Sequence, residues 1–177
     1  MKIVTKSIEI TNTSSTYFIA DIAANHDGKL ERALKLIELA AEAGANAAKF
    51  QHFRARTIVS NKGFSDLGKG IAHQAKWEKS VVEVYREAEL PIEWTEELKE
   101  KCEQCGIDFF SAIYDLDILN DIADSMPFFK IGSGDITWAP MIEKISELGK
   151  PVFIATGAST LDRKSTRLNS SHEWISR

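Results

Sequence analysis

The sequence predicts an α/β fold assembled from successive strand–helix units, and three observations carry that expectation. A helix that stops at glycine and leads into an apolar strand occurs three times, in AAEAGANAAKFQ (40–51), KCEQCGIDFFSA (101–112) and SELGKPVFIATG (146–157). Two further apolar runs, TYFIADIAANHDG (16–28) and MPFFKIGSGD (126–135), finish the same way. All of these strands turn polar at their C-terminal ends, so they aim chemistry at one common face, where α/β barrels keep their active sites.

Residues 2–10 (KIVTKSIEI) read as a lead-in strand or small hairpin, followed by the polar turn TNTSS. The first strand of the repeating series spans about 17–22. Its helix starts after Asp27-Gly28, carries Leu30, Ala33, Leu34, Ile37 and Ala41 as an apolar stripe, and stops at Gly44. The second strand is 47–50. Residues 52–78 hold glycines, lysines and arginines with little periodicity and read as a long loop at the mouth of the site. Helical spacing returns over 79–89, is cut by Pro91, and resumes over 95–105 behind a Thr95 cap. The third strand (107–111), a helix (116–123), the fourth strand (127–131), a helix (140–148) and the fifth strand (152–155) complete the series. Such alternation implies a parallel sheet with right-handed crossovers.

A closed (β/α)8 barrel needs eight strands and about 250 residues. The 177 residues therefore predict a (β/α)8, TIM-barrel-type fold truncated after about five strands. After Leu161 the composition changes to DRKSTRLNSSHEWISR, without apolar periodicity, and 162–172 read as the in-frame translation of a sequencing adapter. The expected organisation is a lead-in hairpin (1–15), a partial barrel domain (16–161) and a non-native tail (162–177).

Composition narrows the function classes. A 44% hydrophobic, 27% charged chain is ordinary globular protein, and a net charge of -4 gives no general attraction to nucleic acid or anionic membrane. No apolar run approaches the ~20 residues of a membrane span, and residues 1–10 lack a signal peptide's apolar stretch, which points to the cytoplasm. Cys102 and Cys105 form a CxxC, but with Leu98 they fall on the apolar face of a helix, and no second pair exists to complete a zinc site.

The candidate chemistry lies at the strand ends. Lys49 and Lys130 end the second and fourth strands, where a compact cation holds phosphate or carboxylate, forms a Schiff base if desolvated, or simply pairs with a neighbouring carboxylate. Lys130-Ile131-Gly132-Ser133-Gly134-Asp135 joins a cation, two glycines that admit a ligand to backbone N–H groups, a hydroxyl and a carboxylate. Thr156-Gly157-Ala158-Ser159 has similar character. Asp21 ends the first strand just before Asn25-His26-Asp27-Gly28, where a carboxylate can polarise a sugar hydroxyl or move a proton. His26 and His52 read as solvated loop histidines, and no cluster of residues builds a metal site.

In the order NHDG, KFQ, KIGSGD and ATGAST, and over about 16–161, the chain resembles the N-acetylneuraminate (sialic acid) synthase family. The resemblance implies a (β/α)8 barrel that condenses phosphoenolpyruvate with N-acetylmannosamine or a related N-acetylated amino sugar and releases phosphate. A divalent metal, Mn2+ or Mg2+, polarises the sugar aldehyde, with ligands from strands outside this chain. By the same resemblance Lys49, Lys130 and Ser133 contact phosphoenolpyruvate, Gln51 and Asn25 bind substrate, and Asp21 and Asp135 manage protons on the sugar side. Asp21 and Asp135 stand where many members have Glu, and Ala112 and Ala155 where many offer the phosphate a hydroxyl. The complete protein is expected to be a homodimer, and the isolated chain, without the later histidines and the sugar-closing C-terminal domain, is expected to be inactive. A Schiff-base aldolase on Lys49 or Lys130 and a non-catalytic sugar-phosphate binding module are the competing readings.

Overall fold

The computed structural model of the chain describes residues 2–5, 9–66 and 77–162. Two short antiparallel strands, β1 (Lys2–Val4) and β2 (Glu9–Thr11), form the expected lead-in hairpin. The repeating units follow as β3 (Ile19–Ala23), α1 (Leu30–Glu42), β4 (Ala47–His52), α2 (Ala55–Ile58), α3 (Asn61–Asp66), α4 (Val81–Glu87), α5 (Thr95–Gln104), β5 (Asp108–Ile113), α6 (Leu116–Ile122), β6 (Phe129–Ile131), α7 (Ala139–Glu147) and β7 (Val152–Ile154). Strands β3, β4 and β5 pair in parallel, β6 pairs in parallel with β7, and β5 lies against β6. The parallel strands therefore follow one another in chain order, as the alternation of elements requires.

The glycine stops work as the spacing predicts. Gly44, Gly106 and Gly149 sit just beyond α1, α5 and α7 with φ of 85°, 71° and 63°, a left-handed turn that costs other residues about 1 kcal/mol or more. Each turn sends the chain straight into the next strand. Several boundaries differ from expectation, β3 and β6 among them, which start two residues later than expected. β4 and β5 run two residues further toward their C-terminal ends, because Gln51 and His52 go on pairing with Ala112 and Ile113. The stretch expected as loop contains α2 and α3, while 67–76 of it lie outside the described residues. Thr95 does not cap α5: a 3-10 turn, Ile92–Trp94, leads directly into the helix, and the Thr95 hydroxyl is used elsewhere. Residues 163–177 of the expected tail also lie outside the described set.

The two faces of the sheet are set by strand alternation. His52 reaches Thr95 on α5, so Ala48, Phe50 and His52 face the helices, and Lys49 and Gln51 face the other way. Partners in parallel register share a face, which puts Asp21, Lys49 and Phe110 together, and likewise Lys130 and Phe153. Aromatic rings carpet that inner face: Phe128 lies 4.4 Å from Phe110, 5.1 Å from Phe153 and 6.3 Å from Tyr17, centroid to centroid. Phe128 is fully buried among them, and Phe128→Ala would cost about 3–5 kcal/mol. At the sheet's limits the cover thins. Phe18, just before β3, and Ile19 at its start are exposed, and β7 is only half-buried.

Candidate active site

The C-terminal ends of β3, β4 and β6 gather the predicted charges. Lys49 Nζ donates to Asp21 Oδ2 at 2.7 Å; the lysine is 15% exposed and the carboxylate 59%. For Lys49 taken alone, pairing with a neighbouring carboxylate thus describes this state. Lys130 is held differently. Its Nζ donates to the carbonyl of Ile131 at 3.1 Å, and burial lowers its pKa, with repulsion from Lys49 adding to the effect and Asp135 and Asp21 opposing it. Burial also pushes the Asp135 carboxyl up, against the pull of Lys130. Two cations and two carboxylates at neighbouring strand ends thus act on one another above an aromatic floor, Lys130 and Asp135 partly desolvated and Asp21 open to solvent.

The loop after β6 brings in a hydroxyl and a close backbone approach. Asp135 N–H donates to the Gly132 carbonyl at 3.1 Å, closing a turn over Gly132-Ser133-Gly134. The Asp135 carboxylate folds back on that turn so tightly that a Cβ on Gly132 would sit 2.6 Å from its Oδ2. Only glycine leaves room for it. Ser133 lies beside the turn after β7, its Cβ 3.9 Å from the point a Gly157 Cβ would occupy. The KIGSGD and ATGAS segments, far apart in sequence, therefore meet.

Tyr114, which the motif reading passed over, completes the group. Its Oη lies 3.9 Å from the same Gly132 Cβ position that Asp135 crowds, and Asp135 and Asp21 both act on it electrostatically. Residue parity along β5 was the available signal, since 110, 112 and 114 fall on the inner face. Of the other predicted residues, Gln51 is half-buried on the inner face beside Ala112. Asn25 is drawn into its own turn, its side-chain amide donating to the Ile22 carbonyl at 2.8 Å. The chain needs a sharp bend there: a register shift ends β3, and Ala23 adopts φ of 53°.

Both histidines depart from expectation, because both are fully buried rather than solvated. His52 bridges β4, β5 and α5: Nδ1 meets Ser111 Oγ at 2.8 Å and Nε2 meets Thr95 Oγ1 at 3.1 Å. Since Ser111 Oγ donates onward to the Ala112 carbonyl, a ring protonated at Nδ1 and accepting from Thr95 satisfies every partner. Burial, with a smaller push from His26, brings its pKa down to about 4. His26 Nδ1 accepts from the Gly28 N–H at 3.1 Å, and its ring packs edge-on against Trp94. These rings brace the site from the helix side instead of lining it. A second brace fixes the segment after β4, where Arg54 and Thr57 both donate to Asp115, at 3.2 and 2.9 Å. Asp115 in turn caps α6, immediately after Tyr114. Among the described residues no group of three or more His, Cys, Asp or Glu side chains is placed to hold a metal ion. Cys102 is buried, burial pushing its thiol far up, which fits a packing role.

Such an arrangement can bind an anion between two lysines and move a proton through a carboxyl held above its usual range. Several known proteins are similar to this chain. The family model described as "NeuB family" matches residues 36–173. The N,N'-diacetyllegionaminic acid synthase of Campylobacter jejuni is 36% identical over 160 residues, covering 87% of this chain and 46% of that protein. The human N-acetylneuraminate-9-phosphate synthase is 32% identical over 149 residues, covering 82% and 40%. Among solved structures, the N-acetylneuraminic acid synthetase of Leptospira borgpetersenii, in complex with citrate, superposes with a TM-score of 0.82 at 26% identity, over 98% of this chain and 56% of that one. A spore coat polysaccharide biosynthesis protein of Bacillus subtilis follows at 0.76 and 25% identity, over 98% and 45%. The chain spans about half the length of the curated relatives it matches.

Proposed function

We propose, for a chain that belongs to the NeuB family, that its inner strand ends form the phosphoenolpyruvate half of a nonulosonic acid synthase site on a (β/α)8 barrel. The observation that carries this reading is the convergence of Lys49 and Lys130, raised from β4 and β6 onto one poorly solvated patch, with Lys130 destabilised as a cation until a negative charge joins it. A phosphate or carboxylate supplies that charge. In the proposed reaction of the whole protein, the enol carbon of phosphoenolpyruvate bonds to the aldehyde carbon of an N-acetylated amino sugar. Water then adds to the cationic carbon left behind, and phosphate departs with the C–O bond electrons. Lys49 and Lys130 would hold the phosphoenolpyruvate, Ser133 would donate to it, and Asp135 would pass the proton that the added water must lose. Asp21 would alternate between Lys49 and the sugar side, where Gln51 and Asn25 also lie in this reading.

A divalent metal would supply Lewis-acid polarisation of the aldehyde. The described residues do not offer it a ligand set, so no step here runs through it. Its ligands and a homodimeric assembly belong to the same proposal and rest on the family resemblance alone; a cytoplasmic setting belongs to it too and rests on the sequence, which carries no long apolar stretch. No helix among the described residues is long and apolar enough to cross a membrane.

Calorimetric titration of the full chain with phosphoenolpyruvate tests the reading. Binding should weaken about a hundredfold in both Lys49→Ala and Lys130→Ala. Wild-type chain that takes up no phosphoenolpyruvate, or variants that bind as well as wild type, would overturn it. The lowered pKa of Lys130 also favours a second reading, a Schiff-base aldolase. Borohydride reduction in the presence of pyruvate separates the two: a covalent adduct at Lys130 supports the aldolase, and an unmodified chain supports the synthase. Binding that persists without Mn2+ in the complete protein, together with no turnover, would instead mark a sugar-phosphate binding module.

A further inference from the structure

Tyr114 sits where the proposed function assigns no residue, and its surroundings give it one role. The ring follows β5 on the inner face and is half-buried. Its Oη and the Asp135 carboxylate lie 3.9 and 2.6 Å from one point above Gly132, so the phenol overhangs the start of the Gly132-Ser133-Gly134 turn. Burial and the nearby carboxylates Asp135 and Asp21 push its pKa up, which keeps the hydroxyl protonated and a donor across the whole working range of pH. That donor has no hydrogen-bond partner among the described residues. The backbone behind it is fixed, since Tyr114 N–H donates to the His52 carbonyl at 2.9 Å and the next residue, Asp115, is locked by Arg54, Thr57 and the α6 N-terminus. A rigidly carried donor, left open at the turn that follows Lys130 in the chain, is the preorganised arrangement an oxyanion requires. The same inner face offers no hydroxyl at Ala112, two residues earlier on the strand.

We infer that Tyr114 is a ligand-binding residue of this site, its phenol donating a hydrogen bond to an anionic oxygen of the molecule held by Lys49 and Lys130. This rests on the phosphoenolpyruvate reading above. Phosphoryl and carboxylate oxygens would both accept such a bond, and separate ligands tell them apart.

The test compares the full chain with Tyr114→Phe, which removes the hydroxyl alone, using phosphoenolpyruvate, inorganic phosphate and pyruvate as separate titrants. The hydroxyl's loss should weaken phosphoenolpyruvate binding about tenfold, as expected for a hydrogen bond to a charged group. Loss carried over to inorganic phosphate places the bond on the phosphoryl group; loss carried over to pyruvate places it on the carboxylate. A second measurement needs no variant. The chain has three tyrosines, and with 13Cζ-labelled tyrosine one resonance, absent from Tyr114→Phe, should shift on adding phosphoenolpyruvate to wild type. Unchanged affinity in Tyr114→Phe, or an unmoved Tyr114 resonance at saturation, overturns the inference while leaving the phosphoenolpyruvate reading intact. Wild-type chain that binds none of the three titrants overturns both.

Discussion

Lys130 and Lys150 stand near opposite ends of one strand pair and are treated in opposite ways. Lys150, just before β7, donates to the carbonyls of Ala123 at 2.7 Å and Met126 at 2.8 Å, and lies over the Phe129 ring. Close by, Tyr17 Oη donates to the buried Asp108 at 2.6 Å. Polar groups at that end are tied to protein partners. At the other end Lys130 reaches only the carbonyl next to it, Asp135 is held above its usual pKa, and Tyr114 has a hydroxyl to give. A stability-driven sequence closes its hydrogen bonds; one that must receive a charged ligand leaves some of them open, here at Lys130 and Tyr114 and not at Lys49, which pairs with Asp21. On the proposed reading, the contrast between satisfied and unsatisfied charge marks the candidate site more sharply than charge itself does.

The largest effect expected from this contrast falls on His52, the most closed polar group near the site. Its folded pKa of about 4 lies below the ordinary histidine value, so the folded state resists protonation. Stability should be full above about pH 6.5 and fall by about 3 kcal/mol as pH drops toward 4. Urea unfolding across that range should lose this slope in His52→Gln; an equal slope in the variant would place the acid sensitivity elsewhere. Next comes the lysine exchange. Lys130→Ala should weaken phosphoenolpyruvate about a hundredfold with little change in unfolding midpoint. Lys150→Ala should keep the affinity but lose about 2 kcal/mol of stability, because buried carbonyls lose their donor. A reversed pattern would erase the distinction between the two ends.

Gly132→Ala sharpens the open side. The new Cβ must displace the Asp135 carboxylate, so affinity for phosphoenolpyruvate should fall about tenfold while stability changes by about 1 kcal/mol. An unaltered titration would mean that the Asp135 position is irrelevant to binding. The smallest effect belongs to Asp21→Asn. Its ion pair with Lys49 is largely solvent-exposed at the carboxylate, and its removal should cost less than about 1 kcal/mol in thermal or urea unfolding.

Much of this arrangement was legible in the sequence because single residues fix it. Gly44, Gly106 and Gly149 punctuate the helices through left-handed backbone that only glycine takes without strain, and the strands then follow almost of necessity. The strand-end lysines and the KIGSGD turn were legible for the same reason, since apolar runs that end in charge leave few alternatives. What the sequence hid depends on partners distant along the chain. The strands β4 and β5 extend because Gln51 and His52 find Ala112 and Ile113. Thr95 resembles a cap but donates to a histidine more than 40 residues earlier. His52 read as a loop histidine because the strand was expected to end at Phe50, and its burial depends on Ser111 and Thr95, both distant along the chain. Tyr114 follows Phe110 and Ala112 in parity and was visible in the same way, but nothing local showed that Asp135 would fold back beside it.

The central claim is that the open end of the strands, and not the closed one, receives an anion. Phosphorus NMR of phosphoenolpyruvate mixed with the full chain tests it most directly, with Lys130→Ala and Lys150→Ala as the paired controls. The resonance should broaden and shift with wild type and with Lys150→Ala, and stay at its free position with Lys130→Ala. A signal that responds equally to all three proteins, or that is lost only in Lys150→Ala, would contradict the account.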